Sequence, residues 1–441
     1  MKHLRFLLLP LLLLVLTCKN TPTNQEEEEP DPTLPSFECV DGLADGKYSC
    51  ENIDLYSVVS PQALFGLSQE EFSNLTQEEK NALSLNDIWG WKDPQTEKEY
   101  ALVGLTDGVT FVDISDPVEP IVVGKLQESF NKANSSGFLL NGEGKKASAW
   151  RDIKVFNNYA FIVSDVQAND YGLQIFDLTK LRNATNTPIS FVEDKHYSEF
   201  GDAHNIAINE GTGFAYVVGS DTYGGGLHII DINDPLNPVF AGFHSDSTVG
   251  RRNTGYIHDT QCVNYKGPDS DYQNQELCFN SSETHLVIAN VTDKQNTSTI
   301  SKIGYEGRNY AHQGWLTEDH RYFLLGDELD SGNTTTYIFD VQDLDNPQLI
   351  GTHLSSSLAI DHNQYVKEGN VYQANYTSGL RILTLNDSEN GNLSEVAFFD
   401  TFPANNDRMF DGAWSNYPFF ESGLVIVSDI SNGLFILKPN L

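Results

Sequence analysis

Seven times the chain restates a short polar pair that leads into an apolar strand, and this recurrence decides most of what it can fold into. One copy is Asp361-His362-Asn363-Gln364-Tyr365-Val366. Others read Asp87-Ile88-Trp89, Arg151-Asp152-Ile153-Lys154-Val155, His204-Asn205-Ile206-Ala207-Ile208, His258-Asp259-Thr260-Gln261-Cys262-Val263 and His312-Gln313-Gly314-Trp315-Leu316, with a looser copy at Asp411-Gly412-Ala413-Trp414. Aligned on Asp87, Asp152, His204, His258, His312, His362 and Asp411, the copies start 65, 52, 54, 54, 50 and 49 residues apart. A period of about 50 residues marks a ring or stack of repeated supersecondary units.

Within a copy the opening strand is followed by a turn and a very apolar second strand. Tyr100 to Gly104, Tyr159 to Val163, Phe214 to Val218, His285 to Ala289, Tyr322 to Leu325 and Leu424 to Val427 all read this way. A Gly-containing turn then leads to a third strand, as in Gly108 to Asp113 and Gly226 to Asp231. An Asp-Pro turn, Asp116-Pro117 or Asp234-Pro235, leads to a fourth. Proline presets the turn's φ and aspartate bonds its own backbone, so these are turns with a mechanism. Four short β-branched and aromatic strands per unit describe a propeller blade. The expected fold is therefore all-β: a seven-bladed β-propeller of four-stranded blades over residues 86–441. The seventh copy stops at Leu441 after three strands, and Ile53 to Val59 is available as the missing outer strand, closing the ring and hiding an open edge. Residues 39–85 would carry a cysteine loop, this closing strand and a short helical excursion over 69–83.

The first residues point to export. Met1 to Arg5 is basic, and Phe6 to Thr17 is an apolar run broken by Pro10 and too short to span a bilayer, so residues 1–17 read as a signal peptide. The run ends at Leu16-Thr17-Cys18, which resembles a bacterial lipobox and makes Cys18 the expected lipidation site. Residues 18–38, with Glu26 to Glu29 and Pro30, Pro32 and Pro35, read as an acidic tether. Four further cysteines remain, and local pairs Cys39–Cys50 and Cys262–Cys278 are the economical choice among three connectivities in an exported chain. The net charge of −35, from 62 acidic and 27 basic residues, leaves no basic stripe for nucleic acid. The membrane would be met only through the N-terminal lipid, and a monomer is expected.

The chain resembles the LVIVD-repeat β-propellers, and among them the choice-of-anchor B family of exported bacterial proteins. The residues that carry the resemblance are Asn86-Asp87-Ile88-Trp89-Gly90-Trp91, Trp150-Arg151-Asp152-Ile153, Ala203-His204-Asn205-Ile206, His258-Asp259-Thr260-Gln261-Cys262, His312-Gln313-Gly314-Trp315-Leu316-Thr317-Glu318-Asp319 and Ala413-Trp414-Ser415-Asn416-Tyr417-Pro418. The resemblance runs from about residue 39 to the end, and it implies a ring and a cell-envelope location rather than a reaction or a ligand. No C-terminal sorting tail is visible, so attachment would fall to Cys18.

In a propeller the opening strand lines the axis, so the repeated polar residues would gather at one mouth of the channel. His204, His258, His312 and His362 are candidate metal ligands, because neutral imidazole is a common one. Asp87, Asp152, Asp259, Asp361 and Asp411 would join as oxygen donors. Asn205, Gln313 and Asn363 complete the polar set. Trp89, Trp150, Trp315 and Trp414 lie in or beside opening strands, where aromatic faces suit a sugar ring or a cation. The competing reading is that these groups pin blade to blade. Acidic clusters at Asp327, Glu328 and Asp330, and at Asp269 and Asp271, are candidate Ca²⁺ positions without an EF-hand loop. The expected function is an envelope protein that binds a ligand or surface protein at the axial mouth, with a divalent metal (Ca²⁺ or a transition metal) as the expected cofactor. A metal-dependent hydrolase or lyase with an axial His/Asp site, and a purely structural scaffold, are the alternatives. No Gly-x-Ser-x-Gly or His-Glu-x-x-His signature is present.

Overall fold

The computed structural model describes residues 36–128, 148–165, 171–330 and 332–441. The signal peptide, Cys18 and nearly all of the acidic tether lie outside the described residues.

Blade 3 shows how the sequence builds one unit. Asn205–Asn209, Phe214–Val218, Leu227–Asp231 and Val239–His244 form an antiparallel sheet in sequence order. The other blades open with Leu85–Lys92 (blade 1), Arg151–Phe156 (blade 2), Asp259–Asn264 (blade 4), Ala311–Leu316 (blade 5), Gln364–Lys367 (blade 6) and Ala413–Tyr417 (blade 7). Opening strands of neighbouring blades touch one another around the ring. The second strands read as continuous apolar runs because both faces are covered; Glu99–Leu105 is buried at every position.

The core is accordingly not one cluster but seven, one in each interface between blades. Phe111 of blade 1 stacks on Phe176 of blade 2 at 4.9 Å, and Phe279 of blade 4 on Phe323 of blade 5 at 5.7 Å. Outer strands come close to the following blade at small residues. A Cβ on Gly242 would collide with the Lys294 carbonyl, and one on Gly351 with that of Gly391.

The ring closes as expected. Ile53–Val59 pairs antiparallel with Gly433–Pro439, placing Leu55 opposite Leu437 and Val59 opposite Leu434. Just before it, Tyr48–Glu51 and Leu43–Ala44 extend the outer edge of blade 6. The Cys39–Cys50 disulfide clips this N-terminal hairpin, and Cys262–Cys278 links the first two strands of blade 4, both as expected. The helical excursion consists of Gln69–Asn74 and Gln77–Asn81, each opened by a capping box, from Ser68 to Glu71 and from Thr76 to Glu79.

Two details differ from the sequence reading. In blade 4 the apolar segment Leu286–Asn290 is the third strand, not the second. The second is Glu276–Ser281, whose Cys278 pairs with Cys262 across the sheet. Blade 1 also gains a fifth strand, Ile189–Phe191, which pairs parallel to its outer strand and comes from the loop that precedes the last strand of blade 2.

Candidate functional site

The opening strands run alongside one another, so equivalent positions form layers along the axis. Backbone pairing corrects the alignment made from the sequence by one residue in blades 1 and 2 and by three in blade 7. His204, His258, His312 and His362 are level with Asn86, Arg151 and Trp414, whereas Asp87 and Asp152 are level with Asn205, Asp259, Gln313, Asn363 and Ser415. Asp411 belongs to neither layer. It lies in the turn before Ala413–Tyr417, where its carboxylate accepts from the Gly412 N–H at 2.9 Å and the Ser431 hydroxyl at 2.7 Å.

The outer layer is a ladder of rings. His204 to His258 is 4.3 Å between centroids, His258 to His312 4.1 Å, and His312 to His362 4.4 Å. Trp414 continues the arc at 4.8 Å from His362, and Trp150 lies 6.4 Å from His204 at the other end. The rings are placed by the next blade. Nδ1 of His258 donates to the His312 carbonyl at 3.0 Å and Nδ1 of His362 to the Trp414 carbonyl at 2.5 Å. Nδ1 of His204 instead meets the Asp165 carboxylate at 3.1 Å. Nδ1 of His312 is buried and makes no hydrogen bond among the described residues. Donation from Nδ1 leaves Nε2 as the bare lone pair. Burial, followed by mutual repulsion, holds His258 and His312 well below the usual imidazole range, and burial pushes His362 down to about 3, so all three are neutral at neutral pH.

Glu328 faces Nε2 of two of these rings. It follows the second strand of blade 5, whose end pairs with the start of the opening strand through Ala311 and Asp327, and this brings Glu328 to the mouth. Its Oε2 lies 3.8 Å from Nε2 of His312, and its Oε1 lies 3.6 Å from Nε2 of His362. The Tyr376 hydroxyl donates to Oε1 at 3.0 Å, and burial raises the Glu328 carboxyl to about 7. Among the described residues, His312, Glu328 and His362 are the histidine-containing group whose donor atoms converge tightly enough to hold an ion. His204 and His258 continue the ladder outside that group. Tyr310, whose ring is 5.2 Å from His258, and Tyr376, 4.8 Å from His362, wall the mouth. The space left between the rings is about 10 Å³, room for one water or a bare cation.

The next layer is spent on structure. Gln313 bonds both the N–H and the carbonyl of Gln364 in the next blade at 3.0 Å. The Asn205 amide donates to the His258 carbonyl at 2.9 Å, and Asp152 accepts from the Ile206 N–H at 2.7 Å. Asn363 donates to Ser415 Oγ at 3.2 Å and to Asp87 at 3.4 Å. Lys154 pairs with Asp152 and lies 3.5 Å from Asp87. Burial raises Asp87 and lifts Asp259 to about 7, whereas for Asp152 burial, the largest influence, is outweighed by the Lys154 charge and the hydrogen bonds from Asp87, the Ile206 N–H and Lys154 together, which hold it down. Asp361 sits behind the mouth between blades 5 and 6, accepting from Thr334 at 2.7 Å and Thr336 at 3.4 Å.

Trp89 and Trp315 lie three residues along their strands from the outer layer, on the order of 10 Å further down the axis. They pack on Tyr365 at 5.8 and 5.0 Å, and Trp89 also packs on Tyr417 at 5.0 Å. With Phe419 they fill the other end of the channel, so they are plug residues and not part of the histidine mouth. The acidic clusters disperse as well. Asp327 caps the loop before blade 5 through the N–H groups of Asn309 and Tyr310, Asp330 faces the Tyr337 hydroxyl, and Asp269 accepts from the Leu344 N–H. The exposed group at Asp269 has Asp343 and Asp345 beside it, and Asp271 is not part of it.

The LVIVD repeat model matches residues 97–127 and 200–245, which are the later strands of blade 1 and essentially all of blade 3. No curated protein matches the sequence. Among solved structures, a protein from Lactobacillus plantarum is similar at 13% identity and a TM-score of 0.50, covering 78% of this chain and 88% of that one. A functionally unknown protein from Desulfotomaculum acetoxidans is similar at 14% identity and a TM-score of 0.46, covering 73% and 87%. The first likeness supports the propeller fold and carries nothing about function.

Proposed function

We propose that this protein is an exported β-propeller of the choice-of-anchor B kind, held at the cell envelope by lipid on Cys18, and that it binds a ligand or protein partner at the histidine-lined mouth. The observation that carries the binding reading is the direction of the ladder. Nδ1 of His258 and of His362 is spent on the next blade while Nε2 faces the mouth, and the opposite end of the channel is filled by Trp89, Trp315, Tyr365 and Phe419. A blade-pinning role alone needs only the first half of that arrangement. Export is supported by the basic and apolar start and by two disulfides, which persist in oxidising compartments.

A structural scaffold is the second reading, favoured by Asn205, Gln313 and Asp152, whose polar atoms go to neighbouring blades. Native mass spectrometry of the full chain, extracted from its own envelope, separates the two. A bound mass present in wild type and absent from a His258→Phe variant that still folds supports a binding mouth. Identical, adduct-free masses for both support the scaffold. The same preparation tests the anchor: wild type should partition into detergent and Cys18→Ala into the aqueous phase, and equal partition would refute lipidation.

A further inference from the structure

We propose that Nε2 of His312, Nε2 of His362 and the carboxylate of Glu328 form a site for one divalent transition-metal ion, an inference that rests on the binding reading of the mouth. Three independent features of the structure converge on it.

The first is spacing. The three donor atoms lie within 4.8 Å of one another, and the two imidazole–carboxylate separations are 3.8 and 3.6 Å. These are too long for hydrogen bonds. Donors on a Zn²⁺-like ion with bonds of about 2.0–2.2 Å lie roughly 3–3.5 Å apart, so each imidazole–carboxylate pair needs to close by only a few tenths of an ångström and the widest pair of the set by roughly 1 Å.

The second is preparation from outside. Nδ1 of His362 donates to the Trp414 carbonyl, which fixes the tautomer and aims Nε2 at Glu328. The Tyr376 hydroxyl donates to Oε1 of Glu328 at 3.0 Å and so orients the carboxylate between the two rings. A carbonyl behind the imidazole and a hydroxyl behind the carboxylate are the outer partners that metal sites use to orient their ligands.

The third is an electrostatic debt. The Glu328 side chain is mostly buried, and among the described residues its carboxylate has no Lys or Arg ion-pair partner. Arg408 reaches only its backbone carbonyl. A buried carboxylate is costly unless paired or bound to a metal, and a cation between it and two neutral imidazoles supplies the missing partner. Two imidazoles with one carboxylate suit zinc, iron or manganese and not Ca²⁺, which takes six to eight oxygens. Three protein ligands leave at least one coordination position for water or a further ligand, on the side where Tyr310 and His258 stand.

The test uses the purified full chain, stripped with chelator and titrated with Zn²⁺ by calorimetry and with Co²⁺ by visible absorption. One ion per chain is expected, with the intense d–d bands of a low-symmetry Co²⁺ site. Glu328→Gln, which preserves shape, should abolish binding. Tyr376→Phe should weaken it by roughly 10–100-fold, as losing an outer partner does, and His204→Ala should leave it within a few-fold. The stripped variants are melted beside stripped wild type, and Glu328→Gln and Tyr376→Phe keep the test decisive if a histidine variant fails to fold. No Zn²⁺ or Co²⁺ binding, binding unchanged in Glu328→Gln, or preference for Ca²⁺ would each overturn the proposal. If the envelope-derived protein carries an organic adduct but takes no metal, the metal site fails and the binding mouth stands. If it carries neither, both fail.

Discussion

Leu55 tests whether the ring is held shut by the strand that arrives first in the sequence. It lies opposite Leu437 in the closing pair, is 1% exposed, and packs in the interface between blades 6 and 7 with Phe399, Phe435 and Leu437. Its N–H and carbonyl also bond Phe37 at 3.0 Å each, so the side chain cannot easily follow a collapse of the site. Leu55→Ala should cost about 2–5 kcal/mol, the transfer term plus the residual cavity. Leu354 is the control: it lies on the outer strand of blade 5, Gln348–Leu354, and is 62% exposed, so its alanine variant should fall within about 0.5 kcal/mol of wild type. Deleting residues 53–59 withdraws Ile53, Leu55, Tyr56 and Val59, all buried, at about 1.5–3 kcal/mol each. That sum of roughly 6–12 kcal/mol is comparable with the ~5–15 kcal/mol stability of a typical protein. Guanidinium unfolding followed by tryptophan fluorescence and circular dichroism should show a lowered midpoint for Leu55→Ala, an unchanged one for Leu354→Ala, and no cooperative transition for the deletion. Equal midpoints for the two alanine variants, or a deletion that unfolds where wild type does, would refute closure as the source of stability.

Three further outcomes are expected. Gln313→Ala, which strands the N–H and carbonyl of Gln364, should lower unfolding stability by about 1–3 kcal/mol per group left unpaired, and a denaturant midpoint equal to wild type would count against blade pinning. Replacing Cys262 and Cys278 together by serine removes a cross-link between residues 16 apart in sequence and should cost about 3 kcal/mol, read as a midpoint shift that reducing agent reproduces in wild type. His228 is pushed down to about 4 by burial and bonds the Tyr197 hydroxyl at 2.9 Å, so the unfolded chain takes its proton near pH 6.5 and the folded chain does not. Its contribution is full above pH 6.5 and is lost as pH falls towards 4. The stability–pH slope in that window should therefore be smaller by about one proton in His228→Asn, and equal slopes would remove His228 from the acid limb.

The ring was legible because it is written in period: a polar pair leading into a strand seven times over, with apolar runs, Gly turns and Asp-Pro turns recurring between copies, one strand missing at the end and one spare at the start. Blade 4 misled because the polar pair and cysteine strand Glu276–Ser281 looks less apolar than Leu286–Asn290, although both are buried. The site was half legible. Histidines recurring at one repeat position had to share a layer, but the weak copies at 87, 152 and 411 were slid by a residue or more. A slip of one moves a side chain to a different layer or face, and in blade 7 a slip of three put Asp411 where Trp414 belongs. Glu328 was visible only as one of three acidic residues. The signal that singles it out is topological. In an antiparallel pair the residues just past the second strand return to the start of the first, so Glu328 and Asp165 arrive at the mouth directly after Asp327 and Ser164, and Tyr376 two residues after Ala374.

The asymmetry of the ring explains why a site sits on blades 5 and 6 and not on all seven. At the outer layer each blade must offer its neighbour a hydrogen bond, and several side chains suffice for that. Asn86 donates to the Ala149 carbonyl at 3.3 Å, and Arg151 gives its Nε to the Leu105 carbonyl at 3.0 Å while its guanidinium is consumed by Glu128 and Tyr171. The Arg151 guanidinium, all donors, leaves no lone pair for the axis. An imidazole that donates through Nδ1 keeps an acceptor on the opposite side of the same rigid ring, so pinning the blade and arming the mouth become one act. Blades 4 and 6 use it, but a ladder of imidazoles alone supplies no negative charge. Only where the residue after the second strand is a carboxylate aimed at two Nε2 atoms does the layer acquire the negative pole that a cation needs, and Glu328 is that residue. Asp165, the acidic counterpart in blade 2, meets Nδ1 of His204 from the other side and so orients a ring without joining a ligand set.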